Sequence, residues 1–188
     1  MKRDKSDGKI HEQNAVITLV VLICIAFVVA WSNLPLGLGI VFGGIMGVFI
    51  TPDLDHEWRT HNEWTVDRVF GKFLGRCFSY YWAFYETFVP HRSPLSHGGF
   101  PPFGPLIMVA VATPIRLAYS FLWLLPLLYF FPEVRLWISK IPLLFWCGLY
   151  GGIALQDQVH YWRDYVFSRE ARKSRRKYIL RKRSKRWR

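Results

Sequence analysis

Two long uncharged apolar runs near the N-terminus constrain the fold of this chain more than any other feature of its sequence. AVITLVVLICIAFVVAW covers residues 15–31, and LPLGLGIVFGGIMGVFI follows at residues 34–50 after only two intervening residues. Each run is about long enough to cross the hydrocarbon core of a bilayer. Because the connection is so short, the two segments are predicted to run antiparallel, and the glycines of the second would allow close packing.

Two further apolar regions extend this pattern. Residues 106–131 carry Pro114 and Arg116, and residues 141–155 contain the pair Gly151 and Gly152. The first region is either one kinked, tilted span or an interfacial piece followed by a shorter hydrophobic segment, and Arg116 must then snorkel or face protein. Because 52% of the residues are hydrophobic, we predict an all-α, polytopic membrane helical bundle with about four transmembrane helices.

Basic residues are concentrated at the two ends of the chain. Residues 169–188 contain twelve Lys and Arg against the single acid Glu170, and four more basic residues precede Asn14. By the positive-inside rule both termini should be cytoplasmic, which requires an even number of crossings. A cleavable signal peptide is the alternative interpretation of the first run, but its apolar core is long and no small-residue cleavage site follows.

We therefore predict a multi-pass protein of the cytoplasmic (inner) membrane. Its membrane-embedded helical domain is expected at residues 1–165, followed by a polybasic cytoplasmic tail at residues 166–188. The three cysteines are scattered, so no disulfide framework is implied.

Candidate metal ligands occur in four segments that this topology would bring to the cytoplasmic surface. One histidine precedes the first span, TPDLDHEW (51–58) follows the second, HRSPLSHG (91–98) lies in the middle loop, and QDQVHYWRDY (156–165) follows the fourth. Imidazole and carboxylate together suit zinc, manganese, iron or nickel. The candidates are His11, Asp53, Asp55, His91, His97, Asp157, His160 and Asp164.

Each motif also has a purely structural interpretation. In QDQVHYWRDY, helical spacing places Asp157, His160 and Asp164 on one stripe. A histidine and an aspartate at i and i+4 share a cation, or the aspartate orients the imidazole, or both are solvated at an amphipathic helix end. TPDLDHEW also fits a helix N-cap at Thr51 with acids in the first turn. For HRSPLSHG, the alternative to a functional loop is a solvent-facing histidine pair.

Between these motifs, VDRVFGKFLGRCFSYY at residues 66–81 repeats apolar residues at helical spacing. We predict a single amphipathic helix here, either in the membrane interface or packed as a lid over the bundle and its site.

Together these motifs resemble a known family. GKIH, PDLDHEW, PHRSPLSHG and HYWRD look like the family of uncharacterised metal-binding proteins, over nearly the whole chain before Tyr165. That family looks related to small inner-membrane proteins described as metal-dependent hydrolases, which share the early His, PDxD and HRxxSH elements. It is more distantly similar to the all-helical zinc-dependent phospholipase C and nuclease group. The resemblance implies seven metal ligands: His11, Asp53, Asp55, His91, His97, His160 and Asp164.

The resemblance points to a membrane-embedded, metal-dependent hydrolase of phosphoester or polar lipid-headgroup substrates. One to three divalent cations, zinc or manganese, would lower the pKa of a bound water to near neutrality. Asp53 or Asp55 would act as general base, and Arg92 would bind an anionic group of the substrate. The alternative is a non-enzymatic metal-binding membrane protein that holds a structural or sensory cation.

The tail has two expected partner classes. Membrane lipids come first, because anionic headgroups attract basic residues by roughly 1 kcal/mol each. Nucleic acid comes second, because Tyr178 and Trp187 could stack on bases between the charges.

Overall fold

All regular structure in the described part of the chain is helical, which confirms the predicted all-α class. The computed structural model describes residues 5–51, 61–89, 93–99 and 102–186, and within these the side chains of 13–51, 65–89, 93–99 and 102–166. The helices are α1 (Lys5–Ser32), α2 (Leu34–Phe49), α3 (His61–Phe70), α4 (Lys72–Phe88), α5 (Pro94–His97), α6 (Gly104–Ile107), α7 (Thr113–Ser120), α8 (Leu124–Phe130), α9 (Pro132–Ser139) and α10 (Leu143–Arg186), with a π-helical turn at Met108–Ala112.

The first two helices form the antiparallel pair expected from their short connection. Asn33 separates them in an extended conformation, and its side-chain oxygen accepts a 3.0 Å hydrogen bond from the Leu36 N–H. Pro35 lies in the first turn of α2, where its missing N–H would have had no intrahelical partner. The turn therefore ends α1 and starts α2 within one residue.

α2 packs between α1 and α10, and its glycines form the contact with α10. A Cβ built on Gly39 would lie 2.1 Å from the Phe145 carbonyl oxygen, and one built on Gly43 would lie 2.0 Å from the Leu149 carbonyl oxygen. Later residues of α2 thus meet later residues of α10, so the two helices run parallel. The missing side chains let the two backbones touch, as in small-residue packing of membrane helices.

The described residues include fewer clear membrane spans than the four predicted. Residues Gln13–Ser32 form one helix that is long and apolar enough to cross a membrane. Two bent pairs pass only when each counts as one span: Gly104–Ser120 with Leu124–Phe130, bent by 51°, and Pro132–Ser139 with Leu143–Val166, bent by 85°. α2 has only 16 residues, about 24 Å of helix. The four-crossing topology therefore stays a prediction.

The region 106–131, for which the sequence allows two paths, is a helical segment with a π-turn and a bend. The Thr113 N–H donates to the Met108 carbonyl five residues earlier, and this wider turn precedes Pro114, which has no N–H to donate. Arg116 faces protein and is 1% exposed. The segment then turns after Ser120 before α8 begins.

The prediction of a single helix over residues 66–81 is wrong. The chain breaks between α3 and α4 at Gly71, whose φ of 86° is a conformation that glycine adopts readily and other residues avoid. Apolar residues keep helical spacing across Gly71, so periodicity did not reveal the break. α4 buries Trp82 and Tyr85 and leaves Phe73 and Phe84 exposed, so aromatic residues occupy both of its faces.

Two tyrosines attach α4 to α7. The Tyr81 hydroxyl donates to the Tyr119 carbonyl, and the Tyr119 hydroxyl donates to the Tyr81 carbonyl. Burial, together with the neighbouring Tyr119, raises the pKa of Tyr81 to about 12, so its hydroxyl keeps the proton that it donates throughout the physiological range. These bonds hold the end of α4 beside the helix that carries Arg116.

We expect opposite effects from alanine at two adjacent glycines of α10. A Cβ at Gly152 would lie 2.6 Å from the Ile40 carbonyl oxygen, whereas a Cβ at Gly151 meets nothing within 4 Å. Gly152→Ala should therefore lower stability by about 1–3 kcal/mol through overpacking. Gly151→Ala should be neutral or stabilising by up to about 1 kcal/mol, since alanine favours helix.

Thermal unfolding of both variants in detergent, followed by circular dichroism, measures the difference. Equal melting temperatures for the two variants would show that α2 and α10 are not in backbone contact at this position.

Candidate metal centre

Three of the predicted ligands come together in the structure. His97 is the last residue of α5, and His160 and Asp164 lie one turn apart on α10. One ligand atom from each lies within 4.8 Å of the others. His160 Nε2 is 3.3 Å from an Asp164 carboxylate oxygen, and the two imidazole rings have centroids 6.2 Å apart. Two of the four predicted segments therefore meet at one point.

The cluster lies at the boundary between the protein interior and solvent. The His160 side chain is 10% exposed and the Asp164 side chain is 38% exposed. A cation could reach the carboxylate from solvent and contact the buried imidazole behind it. The exposed carboxylate leaves one side of the cluster open to solvent, and metal sites of this kind keep coordination positions for water or substrate.

Within the HRSPLSHG motif, Pro94–His97 form a short helical turn, which differs from the predicted loop. Pro94 occupies the first turn of α5, and Gly98 ends it with a φ of 72°. The Ser96 hydroxyl lies 3.0 Å from His97 Nδ1. This contact restrains the orientation of the ring and favours Nε2 as the nitrogen for a metal, since ligating histidines usually bind a second group through the other nitrogen.

A small cavity adjoins His160. It has room for about one water molecule, about 20 Å³. Its lining includes Asn14 near the start of the apolar part of α1, Thr51 just after α2, and Arg163 on α10. Asn14 follows His11 by three residues and Thr51 directly precedes the PDLD motif in the sequence. Both residues therefore lie beside His160 at this cavity.

Gln156 connects three helices one turn before His160. Its side-chain amide lies 3.1 Å from the Ala15 carbonyl oxygen of α1 and 3.4 Å from the Gly44 carbonyl oxygen of α2, and it donates to both. Sequence reasoning did not single out this residue. The sequence did contain a signal, because Gln156 directly follows an apolar helical run, and a glutamine that is buried there needs hydrogen-bonding partners.

Asp157 does not belong to the three-residue cluster. Its carboxylate forms an ion pair with Arg116 of α7 and accepts a hydrogen bond from the Thr113 hydroxyl, and all three side chains are almost completely buried. Helical spacing alone placed Asp157 on the ligand stripe. The buried arginine from a distant part of the chain gives it a different partner.

Several predicted site residues lie outside the described part of the chain. These are Asp53, Asp55, His91 and Arg92. His11 lies within α1, but its side chain is not among those described. The prediction that these residues join His97, His160 and Asp164 stays a prediction.

The fold and the cluster define an all-helical protein with two imidazoles and a carboxylate suited to a divalent transition metal. The profile of a family described as "Uncharacterized metal-binding protein (DUF2227)" matches residues 6–174. The chain belongs to this family, so the prediction of metal binding is confirmed at that level, and the donor set fits such an ion. Comparisons with curated proteins and with solved structures gave no match.

We expect metal to be lost when the cluster is altered. His160→Ala and Asp164→Asn each remove one donor, so each should lower metal content well below that of the wild type. Glu133→Gln is the matched control, because Glu133 is an exposed acid on α9, at the other end of α10. Mass spectrometry of the purified metal-replete protein, with circular dichroism as the folding check, gives the result. Wild-type metal content in both cluster variants would exclude this site.

Proposed function

We propose that this protein is a membrane-embedded, metal-dependent hydrolase of phosphoester or polar lipid-headgroup substrates. The observation that carries this proposal is the cluster of His97, His160 and Asp164, whose ligand atoms lie within 4.8 Å of one another. Its carboxylate is partly exposed, which leaves a side from which substrate can approach. A closed structural site would instead surround its metal with protein donors.

The packing around His160 supports a larger ligand set. Asp53 and Asp55 follow Thr51 by two and four residues, and Thr51 lines the cavity beside His160. His11 precedes Ala15 by one helical turn, and the Ala15 carbonyl bonds Gln156, which precedes His160 by one turn. Since α1 and α10 run antiparallel, both steps lead toward the same end of the helices. We therefore propose that His11, Asp53, Asp55 and His91 complete the centre.

Each group has a role in the proposed reaction. A bound zinc or manganese ion would act as a Lewis acid and lower the pKa of water to about 7. Asp53 or Asp55 would accept the proton from the attacking water, which requires a carboxylate within hydrogen-bonding distance. Arg92 would bind the anionic group of the substrate through its planar guanidinium. Ser96 would keep the His97 ring oriented throughout.

Helix directions support a membrane topology with four crossings. α1 and α2 are antiparallel, and α2 and α10 are parallel, as the glycine contacts indicate. The chain must therefore cross once more, in the direction of α1, between α2 and α10. The segment from α6 to α7 runs this way, since Gln158 bonds Pro105 near its start and Phe121 stacks on Trp146 near its end.

This topology places both basic ends of the chain on one side of the membrane. Ala15, near the start of the apolar part of α1, bonds Gln156 of α10, and the positive-inside rule would assign the basic residues before Ala15 and after Gln156 to the cytoplasm. We propose that the polybasic tail binds anionic lipid headgroups on that side, because residues 169–188 carry twelve Lys and Arg against one acid. Tight RNA binding by the full chain in anionic nanodiscs, at physiological salt, would overturn this assignment.

Hydrolysis should require both the metal and the aspartates. We expect the metal-loaded protein in detergent to hydrolyse a phosphoester or lipid-headgroup substrate, and a chelator to abolish the activity. Asp53→Asn or Asp55→Asn should lower kcat by roughly 10²–10⁴-fold, because each removes either the general base or a metal ligand. Arg92→Ala should mainly raise KM, whereas Arg135→Ala on the exposed surface of α9 serves as control. If the metal-loaded wild type hydrolyses none of the phosphoester and lipid-headgroup substrates tested, the result would favour a structural or sensory cation.

Protease access should report the side of the tail. Trypsin cleaves after Lys and Arg, and residues 169–188 contain twelve of them. We expect loss of a C-terminal epitope in inverted membrane vesicles and its protection in right-side-out vesicles. Detergent should expose the epitope in both preparations, as the control for intact vesicles. Cleavage only in right-side-out vesicles would contradict the cytoplasmic assignment.

A further inference from the structure

A buried polar network lies directly behind the metal centre and is not part of it. Its members are Ser96 on α5, Thr113 and Arg116 on α7, and Asp157 on α10, each at most 1% exposed. None of these residues is among the proposed ligands. The network joins three separate segments of the chain, and two of them carry the ligands of the centre.

Arg116 is the residue that connects these segments. One terminal nitrogen of its guanidinium, Nη1, donates a 3.2 Å hydrogen bond to the Ser96 carbonyl, and the other, Nη2, donates to the Asp157 carboxylate. Ser96 immediately precedes His97, and Asp157 precedes His160 by three residues. A single planar group therefore sets the position of the backbone beside one ligand relative to the helical turn beside another.

The rest of the network keeps the arginine and the carboxylate in place. The Thr113 hydroxyl lies 2.5 Å from the same Asp157 oxygen and 2.9 Å from the Met108 carbonyl. It has one hydrogen, and the charged carboxylate is the stronger acceptor. On the other side, a Cβ at Gly98 would lie 2.3 Å from the Gly104 carbonyl oxygen, so the chain after His97 is packed tightly against α6.

Stability alone does not explain this arrangement. Removing two charges from water costs several kcal/mol, and a buried ion pair is often no more stable than well-packed apolar residues of similar volume. Its location is more informative, because both of its partners adjoin ligands from different segments. Groups that hydrogen-bond directly to metal ligands typically change metal affinity by about 10–100-fold when they are mutated, and Arg116 bonds the segments that carry two of the ligands.

We propose that Arg116 is a positioning residue for the metal centre, holding the Ser96 carbonyl and the Asp157 carboxylate at a fixed separation so that His97 meets His160 and Asp164 at one ion. This inference rests on the proposed metal centre. It adds that the geometry of the centre depends on a group that never touches the metal.

The test uses Arg116→Lys in the full chain, purified in detergent and titrated with Co²⁺. Lysine keeps a positive charge beside Asp157, but its one nitrogen cannot occupy both guanidinium positions. We expect a 10–100-fold weaker Co²⁺ affinity and an altered visible absorption spectrum, which reports the coordination geometry, in a protein that still folds. Tyr150→Phe is the matched control. It removes one hydrogen bond from α10 to the Val109 carbonyl and leaves both hydrogen bonds of Arg116 in place.

Two outcomes would overturn the inference in different ways. Stoichiometric Co²⁺ binding by the wild type, with unchanged affinity and spectrum in Arg116→Lys, would leave the metal centre standing and exclude the positioning role. No Co²⁺ binding by well-folded wild type would exclude the centre itself, and the inference with it.

A double variant covers the case in which Arg116→Lys does not fold. Arg116→Met combined with Asp157→Leu removes both charges and leaves apolar groups of similar size, so no buried charge loses its partner. It should fold and still show the weakened affinity and changed spectrum, because the link to the Ser96 carbonyl is gone. Wild-type binding by a folded double variant would also overturn the proposal.

Discussion

The buried ion pair between Arg116 and Asp157 is the interaction on which the arrangement of the described helices around the candidate centre depends. Apolar burial is not directional, so it brings helices together without fixing how each is rotated or shifted along its neighbour. A guanidinium and a carboxylate that are both sequestered from water tolerate little displacement, because losing either partner leaves an uncompensated buried charge. The pair therefore restricts α7 to one position on α10 and, through Ser96, restricts α5 as well.

A second constraint acts on the other side of α10. The glycines of α2 bring its backbone into contact with α10, and contact between backbones permits only a narrow range of positions along the helix. Gln156 then bonds carbonyl groups of both α1 and α2. α10 is thus held by small-residue packing on one side and by a polar network on the other, and His160 lies just beyond both contacts. The candidate centre therefore adjoins two sets of contacts that hold α10 in position.

Metal binding and folding are linked in the proposed centre. The donors come from segments far apart in the chain, so an ion that joined them would stabilise the folded state over the unfolded one. Binding energy from the metal would then add to the contacts that already hold the segments. The family to which the chain belongs is described as metal-binding, and in the described residues helices alone bring together possible donors from two of these segments.

The helical class, the antiparallel α1–α2 pair and the stripe that carries His160 and Asp164 could all be predicted from the sequence. These features follow from local patterns: apolar run length, a connection too short for any other path, and a helical period that places residues i and i+4 together. The sequence also identified His97 as a candidate, because a histidine between serine and glycine in a proline-containing segment has no core role. The break at Gly71 was missed, since apolar spacing continues across it and only the backbone conformation shows the change of direction.

Which residues contact one another depends on how the helices pack. Arg116 was expected to snorkel or to face protein, and Asp157 looked like one more acid on the ligand stripe. The fold pairs Arg116 with Asp157, 41 residues later, and with the Ser96 carbonyl, 20 residues earlier. Such long-range pairing leaves no periodic trace in the sequence, because it depends on how helices pack and not on how any one helix forms. The convergence of His97 with His160 and Asp164 has the same origin.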